Sequence, residues 1–196
     1  MNLKITLFLS LFTCLFFSCS EQNEEKQNAQ TFIDADYYEY KGLNFQKYMI
    51  HAMMMIPDET ADIGSSTESE ITHVDNDFRW DLKIGEKFII HIEDFGNSKN
   101  LVASKKKELK EKDWFEIKYL VDDKDLIVYQ KILKVKGVNN ASPKVGVDHI
   151  SYHVYAEKVI DGITYELRNS DEGNDKELTR WIAKSIKSFK ALKTKQ

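Results

Sequence analysis

The chain has 196 residues and a formal net charge of −4, from 28 basic and 32 acidic side chains. This length suits one domain with a sizeable core, and the negative charge disfavours nucleic-acid binding. The 2 cysteines, Cys14 and Cys19, both lie near the start of the chain, so the remainder has no disulfide and must be held by its core.

The start of the chain combines a basic residue with an apolar segment. Lys4 precedes Ile5–Phe17, which contains no charged residue. A bilayer core needs about 20 apolar residues, so this segment is too short to span it. A short apolar segment behind a basic residue is instead typical of a cleavable export signal.

The end of that segment, Phe16-Phe17-Ser18-Cys19, resembles the lipobox of bacterial lipoproteins, with Phe16 where a leucine is usual. The resemblance implies that residues 1–18 are a signal peptide and that Cys19 is lipidated. Cys14 is a rival, but an apolar Leu-Phe-Phe follows it, whereas polar residues follow Cys19 at once. Acyl chains contribute about 0.8 kcal/mol per buried CH₂, so they would anchor the protein to a membrane.

Residues 19–31 are expected to form a flexible acidic linker, because no large apolar residue occurs before Phe32. In the lipoprotein family that the signal resembles, Ser20 in place of aspartate implies sorting to the outer membrane. We therefore expect a lipid-anchored protein of the cell envelope, periplasmic or surface-facing, with a single domain over residues 32–196.

The methionine-rich segment Ile50–Ile56 fits either a helical stripe or a buried strand. We favour a strand, because the rest of the chain builds a sheet. Its Met53-Met54-Met55 triplet could suggest soft-metal binding, but filling of the core by flexible side chains is the better interpretation. The small, polar residues 61–70 predict a loop.

Strict alternation predicts a hairpin from Phe78 onward, with Gly85-Glu86-Lys87 as its loop. A three-residue loop places apolar residues opposite each other, whereas a two-residue loop would oppose apolar to polar residues. The expected pairs are Ile84 with Phe88, Leu82 with Ile90, and Trp80 with Ile92. Phe78, Trp80, Leu82 and Ile84 are expected to face the core together.

The lysine- and glutamate-rich segment Asn97–Lys112 predicts a surface helix, capped by Asn97 or Ser98 and burying Leu101, Val102, Ala103 and Leu109. Lys105-Lys106-Lys107 could meet anionic headgroups, but a solvated face is favoured. After it, Phe115, Ile117, Tyr119 and Val121 predict one inward row. Leu126–Val135 is apolar on both faces, as in a strand covered on both sides.

A second hairpin is predicted over Asp148–Arg168, with Asp161-Gly162 as a two-residue type I′ turn. Outward pairing sets Ile160 opposite Ile163, Lys158 opposite Tyr165 and Ala156 opposite Leu167. The core face would hold Ile150, Tyr152, Val154, Ala156, Ile160, Ile163, Tyr165 and Leu167.

The last element is an amphipathic helix. Asn174 with Glu177 three residues later predicts a capping box, and apolar residues recur at helical spacing from Leu178 to Leu192. The sum is an α+β fold, a mainly antiparallel sheet with a mid-chain surface helix and a C-terminal helix packed on the sheet. This order, the early Ile56-Pro57-Asp58 and the closing Ser185–Phe189 resemble the PsbP-like fold, which implies an accessory or binding protein.

The polar face of the second hairpin is the candidate site. It carries His149, His153, Tyr155, Glu157, Glu166 and Arg168, with Ser151 and Thr164 beside them. On a strand, His149 and His153 lie about 13 Å apart, too far to share a zinc ion, so we predict neither a metal nor another cofactor. A solvated or helix-covered face is favoured, and Tyr155 opposite Arg168 suggests a cross-strand stack.

The sequence contains no Gly-x-Ser-x-Gly, no zinc-protease helix motif, no phosphate-binding loop and no Cys-His nucleophile pair. The favoured function is therefore a non-enzymatic binding or accessory lipoprotein, anchored through Cys19, with an envelope protein or a glycan as partner. The alternative is a metal-dependent or hydrolytic envelope enzyme that uses His149, His153 and Glu157. A third hypothesis is a structural envelope protein with Lys105–Lys107 resting on lipid.

Overall fold

The computed structural model describes residues 32–34, 36–63, 68–74, 78–133 and 150–192. The described part of the chain contains ten strands and two α-helices, and every paired strand is antiparallel. The predicted α+β class with a mainly antiparallel sheet is thus confirmed. The predicted leader, Cys19, the linker and His149 lie outside the described residues.

The strands form two sheets. The larger sheet has seven strands: β3 (Ser69–Val74), β4 (Arg79–Ile84), β5 (Phe88–Asp94), β6 (Phe115–Asp122), β7 (Leu126–Leu133), β8 (Ile150–Ile160) and β9 (Ile163–Arg168). The smaller has three: β1 (Tyr40–Asn44), β2 (Ala52–Pro57) and β10 (Lys190–Ala191). A short 3-10 helix, Gln46–Tyr48, lies between β1 and β2. The strand order is β3-β4-β5-β9-β8-β7-β6 in the larger sheet and β1-β2-β10 in the smaller.

The methionine segment is a strand, as predicted, but it pairs with β1 and β10 outside the larger sheet. Met54 is fully buried in the main core, which confirms its role as a core residue. The predicted loop over residues 61–70 is wrong at its end, because Ser69 already begins the edge strand β3. In β3, only Ile71 packs on the main core. The apolar alternation that predicts a strand is therefore missing from this segment.

Both predicted hairpins are confirmed, including their registers. Ile84 lies opposite Phe88, and Ile160 lies opposite Ile163 across the Asp161-Gly162 turn. Two expected core residues are exposed instead. Phe78 precedes β4 and is 73% exposed, while Ile150 is 46% exposed because it lies at the end of the sheet, where β8 begins.

The C-terminal helix α2 (Lys176–Lys187) packs against both sheets and buries Leu178, Ile182 and Ile186. The predicted helical stripe is wrong at its end, because it extended to Leu192, whereas the helix ends at Lys187 and β10 follows. The predicted capping box is wrong by one residue: Asp175 is the N-cap, and its Oδ1 accepts a hydrogen bond from the Leu178 backbone at 2.8 Å. Asn174 instead exchanges two backbone hydrogen bonds with Tyr152, which fixes it one residue before the helix.

The mid-chain helix α1 (Leu101–Lys110) covers the opposite face of the larger sheet. It buries Val102 and Leu109 in a second apolar cluster, while Ala103, expected to be buried, is exposed. The second cluster also holds Ile127 and Tyr129 of β7, whereas Val128 lies in the main core, so β7 is covered on both faces as predicted.

The predicted single inward row on β6 is wrong, because a bulge interrupts the strand. Tyr119 pairs with Tyr129 but Val121 pairs with Val128, so Leu120 is an extra residue. Since side chains alternate between faces, the extra residue moves Val121 to the main core, while Ile117 and Tyr119 remain with the second cluster under α1.

Candidate functional site

The predicted polar face lies under α1. His153, Tyr155 and Glu166 are buried there, and Glu157 and Arg168 are half-buried. The helix-covered alternative is therefore the correct one for these residues. Some of these residues make contacts that hold the fold together, and others line a cleft.

Glu157 has a structural contact at the start of α1. Its Oε1 accepts a hydrogen bond from the Asn100 backbone at 3.2 Å, and its Oε2 accepts one from the Val102 backbone at 3.3 Å. The predicted caps, Asn97 and Ser98, are wrong: Asn100 is the N-cap, in a left-handed conformation and without a side-chain cap bond. A carboxylate from β8 thus satisfies free N–H groups at the positive end of the helix dipole.

Tyr155, Glu166 and Arg168 form one hydrogen-bonded chain. The Tyr155 hydroxyl donates to Glu166 Oε2 at 2.5 Å, and Arg168 Nε donates to Glu166 Oε1 at 3.1 Å. Arg168 also donates to Asp171 at 2.6 Å. Burial and the neighbouring Glu166 raise the pKa of the Tyr155 phenol, which keeps it a donor. Tyr155 and Arg168 are strand partners, as expected, but the cation over the Tyr155 ring is Lys105 at 5.5 Å.

His153 is held as a neutral, buried ring. It stacks on Tyr129 with ring centroids 5.1 Å apart and an interplanar angle of 13°, and its Nε2 lies 2.8 Å from Ser151 Oγ. Burial, with smaller contributions from Lys131 and Lys105, lowers the pKa of His153 to about 4. At neutral pH the imidazole is therefore uncharged and only weakly basic.

Beside these residues, α1 and the sheet enclose a cleft of about 290 Å³. Its walls come from α1 and the turn after it, from β6 to β9, and from the residues that follow β9. The lining residues are Lys105, Glu108, Leu109, Lys112, Phe115, Ile117, Tyr129, Lys131, His153, Val154, Tyr155, Arg168, Asn169, Ser170 and Asp171. His153, Tyr155 and Arg168 are thus brought together at this cleft, whereas Glu157 and Glu166 are not among its lining residues.

Of the described residues, four basic and two acidic ones line the cleft. Lys105 Nζ lies 2.9 Å from Glu108 Oε2, and Lys112 pairs with Glu108 Oε1. One carboxylate therefore serves two ammonium groups. The hydrogen bond from Lys112 is the largest cause that lowers the pKa of Glu108, followed by that from Lys105.

Lys131 has a different environment from the other lysines of the cleft. Its Nζ lies 4.3 Å from the centre of the Phe115 ring, and within the described ranges it forms no ion pair. Burial, followed by the positive charges of Lys112 and Lys105, lowers the pKa of Lys131. The cleft thus contains an ammonium group that has no ion-pair partner among the described residues, although Asp171 and Glu108 act on it at longer range.

Sequence reasoning missed the lysines of the cleft. It treated Lys105–Lys107 as a solvated run, whereas Lys105 and Lys106 are ion-paired to Glu108 and Asp122. The one available signal was Lys131, which shares the face of Ile127 and Tyr129 on β7 and lies opposite Ser151. Lys131 could be recognised as part of a cleft only if the position of α1 over the sheet was known, and the sequence pattern does not predict that position.

Among the residues with described positions, no group of three potential metal ligands occurs. No helix in the same ranges combines the length and the apolar character needed to cross a membrane. No protein-family model, curated protein or solved structure matches the chain.

Proposed function

We propose that this chain is a lipid-anchored lipoprotein of the bacterial cell envelope, that it acts as a non-enzymatic binding or accessory module, and that the cleft under α1 is its binding site. The lipobox-like Phe16–Cys19 and the linker after it support the anchor. The location in the outer membrane rests on Ser20 and remains part of the same proposal.

The binding role rests on a contrast between charged residues on one face of the larger sheet: most have partners within the chain, and Lys131 has no ion pair among the residues that the structure describes. Glu157, Glu166 and Arg168 are satisfied by partners within the chain. Lys131, a few ångströms from the Phe115 ring, lines an open cleft without an ion pair in the described part of the molecule. Small-ligand sites are usually concave and bring a few polar groups together beside apolar side chains. This cleft places Lys131 beside Phe115 and Ile117, within a lining that is mostly polar.

The alternative, a hydrolytic or metal-dependent enzyme, has one observation in its favour, the contact of Ser151 with His153. A nucleophilic serine needs a base whose pKa lies near the working pH, and a value of about 4 makes His153 a poor one. Glu157, the third member of the predicted group, is engaged by the start of α1. These contacts favour binding over catalysis.

A proposal that the fold is PsbP-like is supported by the order of its elements. A mid-chain helix interrupts a run of antiparallel strands, and the terminal helix Lys176–Lys187 closes the core. An experimental structure, superposed on PsbP-like domains, tests this: agreement of strand order in the seven-stranded sheet is expected, and a different order would exclude it.

The anchor is tested by substitution of each cysteine. Cys19→Ser should abolish incorporation of labelled palmitate and move the protein from the membrane fraction to the soluble fraction. Cys14→Ser is the matched control and should behave as the parent chain does. Lipidation that survives Cys19→Ser, or that is lost in Cys14→Ser, contradicts the proposed anchor.

The binding role is tested by site-specific cross-linking in living cells. A diazirine-bearing residue at Ser170, on the cleft wall, should capture an envelope component. The same residue at Lys83, exposed on β4, is the control and should capture none of that species. Capture at neither position, or equal capture at both, contradicts a binding site at the cleft.

A further inference from the structure

We propose that the cleft recognises a small anionic ligand, one ring in size and carrying a carboxylate or a phosphate group, and that Lys131 is the residue that contacts the anion. This inference rests on the proposed function only in taking the cleft as a binding site. The choice of an anion rests on the charges that line the cleft.

Among the described residues, three ammonium groups converge on the cleft, and the Glu108 carboxylate pairs with two of them. Lys105 and Lys112 share Glu108, and Lys131 adds a third positive charge on the adjacent strand. Like charges in a partly desolvated site repel each other, and an anion bound among them removes that repulsion. Burial is the largest cause that lowers the pKa of Lys131, and the positive charges of Lys112 and Lys105 follow it. The contribution of the two lysines is the expected sign of such repulsion.

The other charged groups of the cleft do not compete for the anion. Arg168 donates to Glu166 and to Asp171, so its positive charge is already matched by two carboxylates. Asp171 lies 2.6 Å from Arg168. It also acts on Lys131 at longer range, where it opposes the lowering of the Lys131 pKa without reversing it. His153 is neutral at pH 7 because of its lowered pKa and adds no further charge.

The size and the walls of the cleft limit the ligand. A volume of about 290 Å³ lies just below the range of roughly 300–1,000 Å³ that is usual for ligand pockets. Phe115, Ile117 and Tyr129 provide an apolar wall beside the lysines. A single ring with one anionic group fits these features. If the ligand is part of a polymer, the cleft has room only for the terminal unit of that polymer.

The test uses the full chain in non-ionic detergent and isothermal titration with four probes: glucuronate, glucose 6-phosphate, inorganic phosphate and uncharged glucose. Glucuronate or a phosphate compound should bind, and glucose should not. Lys131→Met should weaken binding of the charged probe by about tenfold or more, since a charge-assisted hydrogen bond is lost. Lys118→Met, which removes the same charge from exposed β6 outside the cleft, should leave the affinity unchanged.

The arms of this titration separate the outcomes. Binding of glucuronate alone assigns the carboxylate class, and binding of the phosphate compounds assigns the phosphate class. Equal binding of glucose, equal effects of Lys131→Met and Lys118→Met, or binding by none of the probes overturns the inference. Cross-linking at Ser170 can still succeed in each of these cases, so failure of the anion inference is distinguishable from failure of the proposed function. Should Lys131→Met fail to fold by circular dichroism, Lys112→Met serves in its place, with the same outcomes.

Discussion

The Glu157 carboxylate on β8 caps the start of α1. Its Oε2 accepts a hydrogen bond from the Val102 backbone nitrogen at 3.3 Å. This contact ties α1 to the sheet and sets the position of Lys105 over the Tyr155 ring. A contact between residues so distant in sequence thus determines where one wall of the cleft lies.

Loss of this cap should destabilise the fold. Glu157→Gln removes the charge that interacts with the helix dipole and weakens the bonds to Asn100 and Val102. We expect a loss of about 1–2 kcal/mol in the free energy of unfolding, measured by urea denaturation. Glu172→Gln, at an exposed position, is the control and should change it by no more than about 0.5 kcal/mol. Equal losses in both variants would contradict the capping role.

His153 should make stability fall as the pH is lowered. Its pKa is about 4 in the fold and about 6.5 when unfolded, so between these values only the unfolded chain binds the proton. The stabilisation is fully present above pH 6.5 and is lost as the pH falls toward 4, by roughly 3 kcal/mol at most. His153→Phe, compared with the parent by urea denaturation at several pH values, should flatten this dependence. His73→Gln, at an exposed position, should not, and an unchanged slope in His153→Phe would count against a buried neutral imidazole.

Gly173 should tolerate no side chain. A Cβ there would lie 2.8 Å from the His153 ring and from Ser151 Cβ, and the residue has φ of +78°. Gly173→Ala should therefore cost about 2–3 kcal/mol, from strain and from displacement of His153. Gly96→Ala is the matched control: its φ is +59° with nothing within 4 Å of the added Cβ, so only the cost of the left-handed backbone, about 1 kcal/mol, is expected. Thermal unfolding of both variants measures the difference, and a smaller effect at Gly173 than at Gly96 would contradict the packing.

The hydrogen bond from the Tyr155 hydroxyl to buried Glu166 should stabilise the fold. Tyr155→Phe leaves the ring in place but removes the donor to Glu166 Oε2, which should cost about 1–3 kcal/mol in urea denaturation. Tyr38→Phe, at a site that is 75% exposed, should be neutral. A neutral Tyr155→Phe would mean that Arg168 alone satisfies the carboxylate.

The elements that the sequence predicted well depend on local chemistry. The Asp161-Gly162 turn and the Gly85–Lys87 loop each determine a register, because a slip of one residue would move every apolar side chain to the wrong face. The stripe of α2 is similarly local, since its apolar spacing alone indicates the buried face.

The parts that could not be predicted depend on contacts between distant residues. The bulge at Leu120 has no glycine or proline to mark it, and the cap of α1 comes from Glu157, 55 residues beyond Val102. The cleft needs α1 placed over β7 and β8, because only then do Lys105, Lys112 and Lys131 meet. A polar hairpin face was predicted, but Lys131 beside it, which has no ion-pair partner among the described residues, was not.

The most direct test of the account is to follow the Lys131 side chain by NMR in ¹³C,¹⁵N-lysine-labelled full chain, with assignment by Lys131→Met. In the free protein the pKa of Lys131 should lie below the ordinary lysine value, as its burial and its lysine neighbours require. Saturating glucuronate or glucose 6-phosphate should raise that pKa and shift the Lys131 signals, while glucose should do neither. Lys131 signals that stay unchanged with both charged sugars would contradict an anion site in this cleft.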